Sequence, residues 1–448
     1  MKKTHVYSIF PRTIFLLAIV LTIISAGHLP VVAQSYEVGT WPGFRSAAIC
    51  FTFDDNCSKQ LSVVVPMFNE FDFHLTLFTV TTWGPNWTGL QAAADSGHEV
   101  ASHTVTHPHI TGLPLEDQTT EFRNSYNTIN SKINGQTALT MAYPYCEVGD
   151  NSIVDQYYIG ARGCQGFIEQ KTPGDFRNIS SIICGTEGSV KTAANFNSKV
   201  NSAANMKGIC VFLIHGVDDD GGWSPTNSSE LRTHLEYLKK NVAKFWIPTF
   251  GNMIRYVRER NAATITELSV EDSIITLQAS DTLDDSIYNL PITIRRPLPD
   301  GWLSASATQN GNSLNTRVIE ANAVKYIMFD VIPDGGDIIL SKSTPTDVHK
   351  HEEFAPLSPS LSQNYPNPFN PETLIRFQLP ECAHVNIEII NTSGQRIATL
   401  ADTFYDAGDH TIQWDACDND GNRVASGVYF YQLYADNYFD VKRMIVLR

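Results

Sequence analysis

Short hydrophobic runs recur between residues 41 and 260, separated by stretches of mixed polarity. We expect strands at 47–53, 74–80, 99–101, 140–142 and 210–214. Short runs of this kind, alternating with helical stretches, are typical of parallel strands buried on both faces of a sheet. The pattern therefore predicts an α/β fold, and a distorted (β/α) barrel is the most economical arrangement.

After residue 262 the pattern changes to short alternating runs broken by Pro-Asp-Gly turns. This change predicts two small all-β, sandwich-like domains, at 263–342 and 362–448. Residues 343–361 are rich in Ser, Thr and Pro without apolar periodicity, which is typical of a linker. The α/β domain that precedes them is then expected at 34–262.

The first 33 residues combine Lys2, Lys3 and Arg12 with an apolar run at 14–24, the pattern of a cleaved signal peptide. An uncleaved anchor is disfavoured because the run is shorter than the roughly 20 residues that span a bilayer. No later segment is expected to span a membrane. We therefore expect an exported protein.

The charge of the chain limits its partners. The net charge is −15, and removing three signal-peptide cations leaves 29 of the 32 basic residues against 47 acidic ones, a net of −18. Such a surface repels nucleic acid and anionic membranes. Polysaccharides remain natural partners.

Eight cysteines lie far apart with no Cys-x-x-Cys pair, which argues against a structural zinc site. Disulfides are plausible in an exported chain. Six cysteines precede residue 260 and could pair in 15 ways, so the sequence leaves the pairing open.

Three motifs carry candidate chemistry at predicted strand ends: Asp54-Asp55, the pair His103 and His107, and His215. Adjacent strand residues point to opposite faces, so the two aspartates can converge only where the strand ends and the chain turns. The two histidines would be about 13 Å apart in an extended chain, so we expect a helical or curled turn between them.

Two histidines and a carboxylate form the three-ligand site of a catalytic metal, with positions open for water and substrate. Such a metal lowers the pKa of bound water and polarises a carbonyl. Asp54 could then act as base and a protonated His215 as acid. Each motif alone is more often a turn cap or an ordinary surface or core histidine; their order and joint placement at strand ends favour function.

Residues from about 41 to 260 resemble the polysaccharide deacetylase domain, also called the NodB homology domain, of carbohydrate esterase family 4. Residues 52–55 match its Thr-Phe-Asp-Asp motif and residues 103–107 its His-Ser/Thr-x-x-His motif. The resemblance implies that Asp54 is the base and His215 the acid. It also implies that Asp55, His103 and His107 hold a zinc-like divalent ion; cobalt or nickel would also suit these ligands.

The third motif of the family departs from its usual Arg-Pro-Pro-Tyr/Phe-Gly form. Ala142 replaces the arginine that normally orients the base, and the aspartate-tryptophan motif that accompanies this arginine is not found. Tyr145 keeps the position whose backbone N–H would serve as oxyanion donor. Trp223 follows His215 on a loop and either stacks on a sugar ring or anchors the loop.

The segment 362–448 resembles the type A C-terminal sorting domain of type IX secretion, through its Tyr-Pro-Asn-Pro-Phe-Asn-Pro opening and the Gly-Val-Tyr at 427–429. This resemblance implies an interaction with the type IX machinery. It also implies a secreted or cell-surface protein that passes through the periplasm and then the outer membrane. The other interpretation is a permanent carbohydrate-binding or adhesion module.

Together these features predict a secreted, metal-dependent deacetylase that removes N-acetyl or O-acetyl groups from a polysaccharide. One alternative is a catalytically silent carbohydrate-binding protein on the same fold, which Ala142 favours. Another is an O-acetyl esterase acting on acetylated xylan. The sequence does not separate the substrates, because the loops around the site select the sugar.

Overall fold

The computed structural model describes residues 36–321, 324–343, 359–379, 383–405, 408–435 and 438–447. The predicted signal peptide at 1–33 and most of the predicted linker lie outside these ranges. Within them, no helix combines the length and the apolar composition needed to cross a bilayer.

A parallel sheet forms the first part of the chain, after a short strand β1 (Glu37–Val38). Its strands are β2 (Ala47–Asp54), β3 (Thr76–Thr79), β4 (Glu99–Ser102), β5 (Thr140–Ala142), β6 (Gly160–Arg162), β7 (Ile182–Ile183), β8 (Ile209–Ile214) and β9 (Phe245–Trp246). Their order is β6-β5-β4-β3-β2-β8-β7, with β9 paired to β2. This open parallel sheet fits a distorted (β/α) barrel.

Seven α-helices accompany this sheet in the described part of the chain: α1 (Val65–Phe71), α2 (Trp87–Asp95), α3 (Leu115–Lys132), α4 (Asn151–Tyr157), α5 (Ala193–Met206), α6 (Ser228–Lys239) and α7 (Phe250–Ala262). All eight residues of β2 are buried, because helices cover the central strand on both sides. Phe51 and Phe53 pack edge-on against Phe68 of α1. Burial on both faces explains why the strand sequence is nearly continuously apolar.

The five predicted strands are present, and the structure adds β6, β7 and β9. β7 and β9 have only two residues each, too few to show a hydrophobic pattern, and β6 is a three-residue Gly-Ala-Arg stretch without an apolar run. β6 proves important for the site.

The region after α7 is all-β. Its strands are β10 (Thr264–Val270), β11 (Ile274–Ser280), β12 (Ile292–Pro297), β13 (Ser304–Gln309), β14 (Asn312–Leu314), β15 (Thr316–Ala321), β16 (Val324–Val331) and β17 (Ile338–Ser343). They form two antiparallel sheets, β10-β11-β17-β13-β14 and β1-β12-β16-β15. Strand β1 thus joins the N-terminal end of the chain to this region.

The middle region shares one hydrophobic core with the barrel. Trp41, Cys50 on β2 and Ile254 on α7 belong to the same buried cluster as Ile275 and Ile294 of the β region. The two parts are therefore packed together through apolar side chains, and the middle region does more than space the barrel from the C-terminal segment.

The C-terminal segment is also all-β. Its strands are β18 (Ser360–Leu361), β19 (Thr373–Leu379), β20 (Ala383–Asn391), β21 (Arg396–Tyr405), β22 (Gly408–Trp414), β23 (Gly427–Ala435) and β24 (Tyr438–Val446). They form the sheets β18-β19-β22 and β21-β20-β23-β24, which enclose a separate core around Phe377, Tyr431 and Trp414.

Candidate active site

Asp54 is the last residue of β2, and Asp55 is the first residue after it. The backbone of Asp55 has a φ of 70°, and that of Asn56 a φ of 54°. Such left-handed conformations are costly for residues other than glycine and cluster at functional sites. The turn lets both carboxylates face one site, which successive residues of a regular strand could not do.

His103 and His107 lie on a curled loop directly after β4, and this loop is not helical. Thr104 and His107 have positive φ values of 68° and 59°. Glu121 of α3 accepts hydrogen bonds from the backbone N–H groups of Val105 and Thr106, at 2.8 and 2.9 Å. The curled alternative of the predicted turn is therefore the one observed, and it brings the two imidazole centroids to 4.8 Å.

Asp55, His103 and His107 form a group whose ligand atoms all lie within 4.8 Å of one another. Oδ1 of Asp55 is 3.5 Å from Nε2 of each histidine. This buried oxygen finds no hydrogen-bond donor in the described part of the chain. A carboxylate oxygen facing two imidazole nitrogens without a proton donor fits a divalent metal ion, for which these are ordinary ligands.

The backbone carbonyl of Ala142 orients His103. Nδ1 of His103 lies 2.9 Å from this oxygen, so Nδ1 carries the proton and Nε2 presents its lone pair to Asp55. Burial lowers the pKa of His103 to about 3, which keeps the ring neutral and able to bind metal.

Arg162, at the end of β6, is the partner of Asp54 that the sequence did not reveal. Its guanidinium donates to both carboxylate oxygens of Asp54, at 2.9 and 2.6 Å, and to Oγ1 of Thr52 at 3.0 Å. Both charged groups are about 2% exposed. Arg162 pairs directly with Ala142 across neighbouring strands, so an arginine is present one strand away from the expected position.

The two aspartates are electrostatically different. Burial acts to raise the pKa of Asp54, but the charge and hydrogen bonds of Arg162 outweigh burial and lower it to about 2. Burial, followed by the charge of Asp54, raises the pKa of Asp55 to about 7. Asp54 is thus ionised at neutral pH, whereas Asp55 is only partly ionised there, and a bound cation would favour its ionised form.

His215 follows the end of β8 and faces both aspartates. Its Nε2 is 3.8 Å from Oδ2 of Asp54 and 3.8 Å from Oδ2 of Asp55. Burial lowers its pKa, and its Nδ1 has no hydrogen-bond partner within the described ranges. Gln60 donates to the backbone carbonyls of Asp54 and His215 and thereby holds the two strand ends together.

Three exposed aromatic side chains surround the site, and we call them the aromatic rim: Trp83, Tyr145 and Trp223. Each is about half exposed, with 49%, 55% and 50% of its surface accessible. The rings of Trp83 and Tyr145 lie 4.8 and 4.7 Å from the ring of His107, and that of Trp223 lies 4.8 Å from His215. The structure therefore places both Tyr145 and Trp223 beside the predicted site.

A disulfide joins Cys146 to Cys164. The sequence had left the pairing of the cysteines open. The disulfide links the turn that carries Tyr145 to the segment directly after Arg162. Tyr145 has a φ of 54°, so the bond fixes a strained turn beside the site. Cys50, Cys57, Cys184, Cys210 and Cys417 are free.

Arg162 and Trp83 are the side chains at the candidate site that sequence reasoning missed. A charged residue ending a short strand, in Gly-Ala-Arg-Gly, is a usable signal for Arg162 once parallel strand ends are known to meet at one edge. Trp83 lies in a loop after β3 and offers no comparable pattern.

Residues 43–162 match the family model of polysaccharide deacetylase, and residues 364–438 match that of the FlgD Ig-like domain. The stretch that matches the polysaccharide deacetylase model includes Asp54, Asp55, His103 and His107. Neither model concerns type IX sorting.

One curated relative is a gellan lyase of a Bacillus species, 26% identical over 333 residues. The alignment covers 69% of this chain but only 13% of the relative, so the chain spans a small part of that protein.

Among solved structures, a putative polysaccharide deacetylase from Mycobacterium smegmatis is similar, with 14% identity and a TM-score of 0.41. The similarity covers 50% of this chain and 94% of that one. The Xyl-CE4 domain of a xylanase from the hindgut metagenome of Trinervitermes trinervoides has 19% identity and a TM-score of 0.34, covering 46% and 88% of the two chains.

Proposed function

We propose that this protein is a metal-dependent deacetylase of acetylated polysaccharides, with Asp54 as base and His215 as acid. The observation that carries the proposal is the convergence of Asp55, His103 and His107 around an oxygen without a proton donor, 3.5 Å from both imidazoles. The match of residues 43–162 to the deacetylase family supports the same reaction.

A divalent ion held by Asp55, His103 and His107 would supply Lewis acidity and a nucleophilic water for hydrolysis of the acetyl group. Zinc is the expected ion, although cobalt and nickel suit the same donors. Asp54 remains ionised beside Arg162, so it is ready to accept a proton from the attacking water. The backbone N–H of Tyr145 is the proposed donor to the developing oxyanion.

His215 is proposed to donate a proton to the leaving amine or hydroxyl group. Because its pKa is lowered, His215 would take up its proton during turnover. Asp54, whose Oδ2 lies 3.8 Å from Nε2 of His215, would pass on the proton that it accepted from water.

The aromatic rim supports a sugar as the substrate. Exposed aromatic rings beside a polar centre are typical of sites that bind ligands with both apolar and polar faces, as sugar rings have. Trp83 and Trp223 lie beside His107 and His215 respectively, so a glycan chain crossing the site would meet a ring next to each of these histidines.

The test is acetate release by the full mature chain from chitooligosaccharides, peptidoglycan and acetylated xylan, with Asp54→Asn as the blank. We expect release from at least one substrate and a loss of about 10²–10⁴-fold in the variant, the usual contribution of a general base. Asp54→Asn should retain its metal, whereas Asp55→Ala and His103→Ala should lose it.

The same experiment separates the alternatives. Release from xylan alone would identify an O-acetyl esterase. No release from any of the three glycans, with metal bound, would instead favour a silent carbohydrate-binding protein. Unchanged turnover in Asp54→Asn would remove Asp54 from the role of base.

We also propose that residues 1–33 direct export and that residues 362–448 engage the type IX secretion machinery. The apolar run after Lys2 and Lys3 and the Pro-rich opening of the C-terminal segment support this. Deletion of 362–448 should leave the protein in the periplasm of its host; undiminished surface delivery of the deleted chain would contradict the proposal.

A further inference from the structure

A second cluster of acidic side chains lies far along the chain from the catalytic motifs, in the all-β region. Asp281 directly follows β11, Asp285 lies four residues later, and Asp334 lies in the turn between β16 and β17. One oxygen from each of the three carboxylates lies within 4.8 Å of the others. Two oxygens bound to one calcium ion at about 2.4 Å can be separated by up to about 4.8 Å, so the spacing is that of a shared ion.

No basic partner offsets these charges. Within the described ranges, no lysine, arginine or histidine nitrogen lies within 4.0 Å of the carboxylates of Asp281, Asp285 or Asp334. Backbone N–H groups satisfy only part of the cluster: Leu283 donates to Oδ1 of Asp281, and Asp281 donates to Oδ2 of Asp334. Oxygens of all three carboxylates remain available to a cation.

The independent observation is Glu259 on α7, which has no exposed surface. Its Oε1 accepts a hydrogen bond from the backbone N–H of Leu290 at 2.9 Å. Its Oε2 has no donor in the part of the chain that the structure describes, and its carboxyl group faces that of Asp281. Burying a carboxylate against another acid without a partner is costly unless a cation lies between them.

Arg255, one turn earlier on α7, does not fill this role. Its guanidinium donates to the carbonyl of Ile287 and to the side chains of Asn252 and Asn289. The carboxyl group of Glu259 therefore lies beside Asp281 of the acidic cluster, and no hydrogen bond from Arg255 reaches it in the described part of the chain.

We propose that Asp281, Asp285 and Asp334, backed by Glu259, form a calcium site that joins α7 to the all-β region. All the donors are oxygens, so the site lacks the nitrogen and sulfur ligands that zinc prefers. They lie on two loops and a helix, an irregular set that suits the variable coordination of calcium better than the strict octahedron of magnesium. The ion would link the barrel to the middle region at the edge of their shared core.

The test is calcium titration by calorimetry of the full mature chain, after chelation and reloading of the catalytic site with one equivalent of zinc. The target variant is Asp285→Asn/Asp334→Asn, in which both changed residues are exposed. The matched control is Asp284→Asn/Asp300→Asn, which removes the same charge from residues outside the cluster. We expect one calcium ion to bind the unchanged chain and the control with a dissociation constant of about 10⁻⁴–10⁻³ M, as in extracellular modules.

The target variant should lose at least about tenfold in affinity, and Glu259→Gln, which keeps an acceptor for Leu290, should also lose affinity. Calcium should raise the thermal midpoint of the unchanged chain and the control, and raise it less in the target variant. Equal responses in target and control, or no calcium binding at all, would overturn the site. The second result would mean that Glu259 and Asp281 share a proton.

Discussion

Arg162 on β6 and Ala142 on β5 lie side by side. Only Arg162 is charged, and its guanidinium contacts Asp54. The pair formed by Arg162 and Asp54 is almost fully buried, with two hydrogen bonds between planar groups. Such bidentate pairs fix geometry as well as charge. At the scale of single residues, the orientation of Asp54, the proposed base, therefore depends on an arginine from an unexpected strand.

Moving the arginine back to β5 tests this role. Arg162→Ala should lower kcat by at least about tenfold and cost about 3–5 kcal/mol of stability, because Asp54 is left buried without its partner. Ala142→Arg combined with Arg162→Ala should recover part of both losses. Acetate release and urea unfolding measure the two effects; full activity in Arg162→Ala alone would show that Asp54 needs no arginine.

The raised pKa of Asp55 predicts how metal binding depends on pH. Metal must displace a proton from Asp55 below a pH of about 7, so affinity should rise with pH up to about 7 and then level off. Below that point, each pH unit should weaken zinc binding by about tenfold. Competition with a chromophoric chelator between pH 5 and 8 measures this. A flat profile would contradict the raised pKa of Asp55.

The site residues could be predicted from sequence where the chemistry lies in adjacent or closely spaced positions. Asp54-Asp55 and the pair at 103 and 107 are short motifs at the ends of apolar runs. Arg162 could not be assigned in this way, because its contact with Asp54 spans 108 residues and depends on the order of strands in the sheet.

At the scale of elements, the disulfide between Cys146 and Cys164 connects the turn after β5 to the segment after β6. Both elements carry groups that surround the site, Tyr145 and Arg162. β5 and β6 have only three residues each, so the hydrogen bonds of the sheet constrain their ends weakly. The covalent bond is the stronger constraint on this edge of the site.

Replacing both cysteines by serine should destabilise the chain by about 3 kcal/mol, the usual effect of opening a loop of roughly this length. Acetate release should also fall, because the turn at Tyr145 loses its tether. Urea unfolding and activity of the Cys146→Ser/Cys164→Ser variant measure these effects. The control is Cys417→Ser, which changes a free cysteine outside the barrel; equal behaviour of the two variants would contradict the prediction.

Elements were predictable where the hydrophobic pattern is long. The run at 47–53 corresponds to β2, whose burial on both faces leaves an apolar sequence. Strand β1 was not predicted because two residues carry no period, and its partner β12 is more than 250 residues away.

At the scale of the whole molecule, the barrel and the middle all-β region share a core that includes Trp41, Ile254 and Ile294. Predicted boundaries at 262 and 342 follow the change in pattern, but pattern alone does not show that apolar faces on the two sides of residue 262 pack together. The middle region therefore contributes to the stability of the catalytic part.

Truncation should reveal this dependence. A chain of residues 34–262 should expose the faces of α7 and Trp41 that the β region covers, and should bind hydrophobic dyes and aggregate. A chain of residues 34–343 keeps this core and should unfold cooperatively. Circular dichroism with dye binding measures the difference; equal stability of the two chains would show that the barrel is independent.

Acetyl hydrolysis should depend on an ion at Asp55, His103 and His107. The most direct measurement is acetate release by the full mature chain on its accepted glycan, first as purified, then after chelation to a metal content near zero, then after one equivalent of zinc. We predict that release falls to the level of Asp54→Asn on chelation and returns with zinc, and that His103→Ala stays inactive throughout. Undiminished release from the metal-free chain would show that hydrolysis needs no ion at these residues.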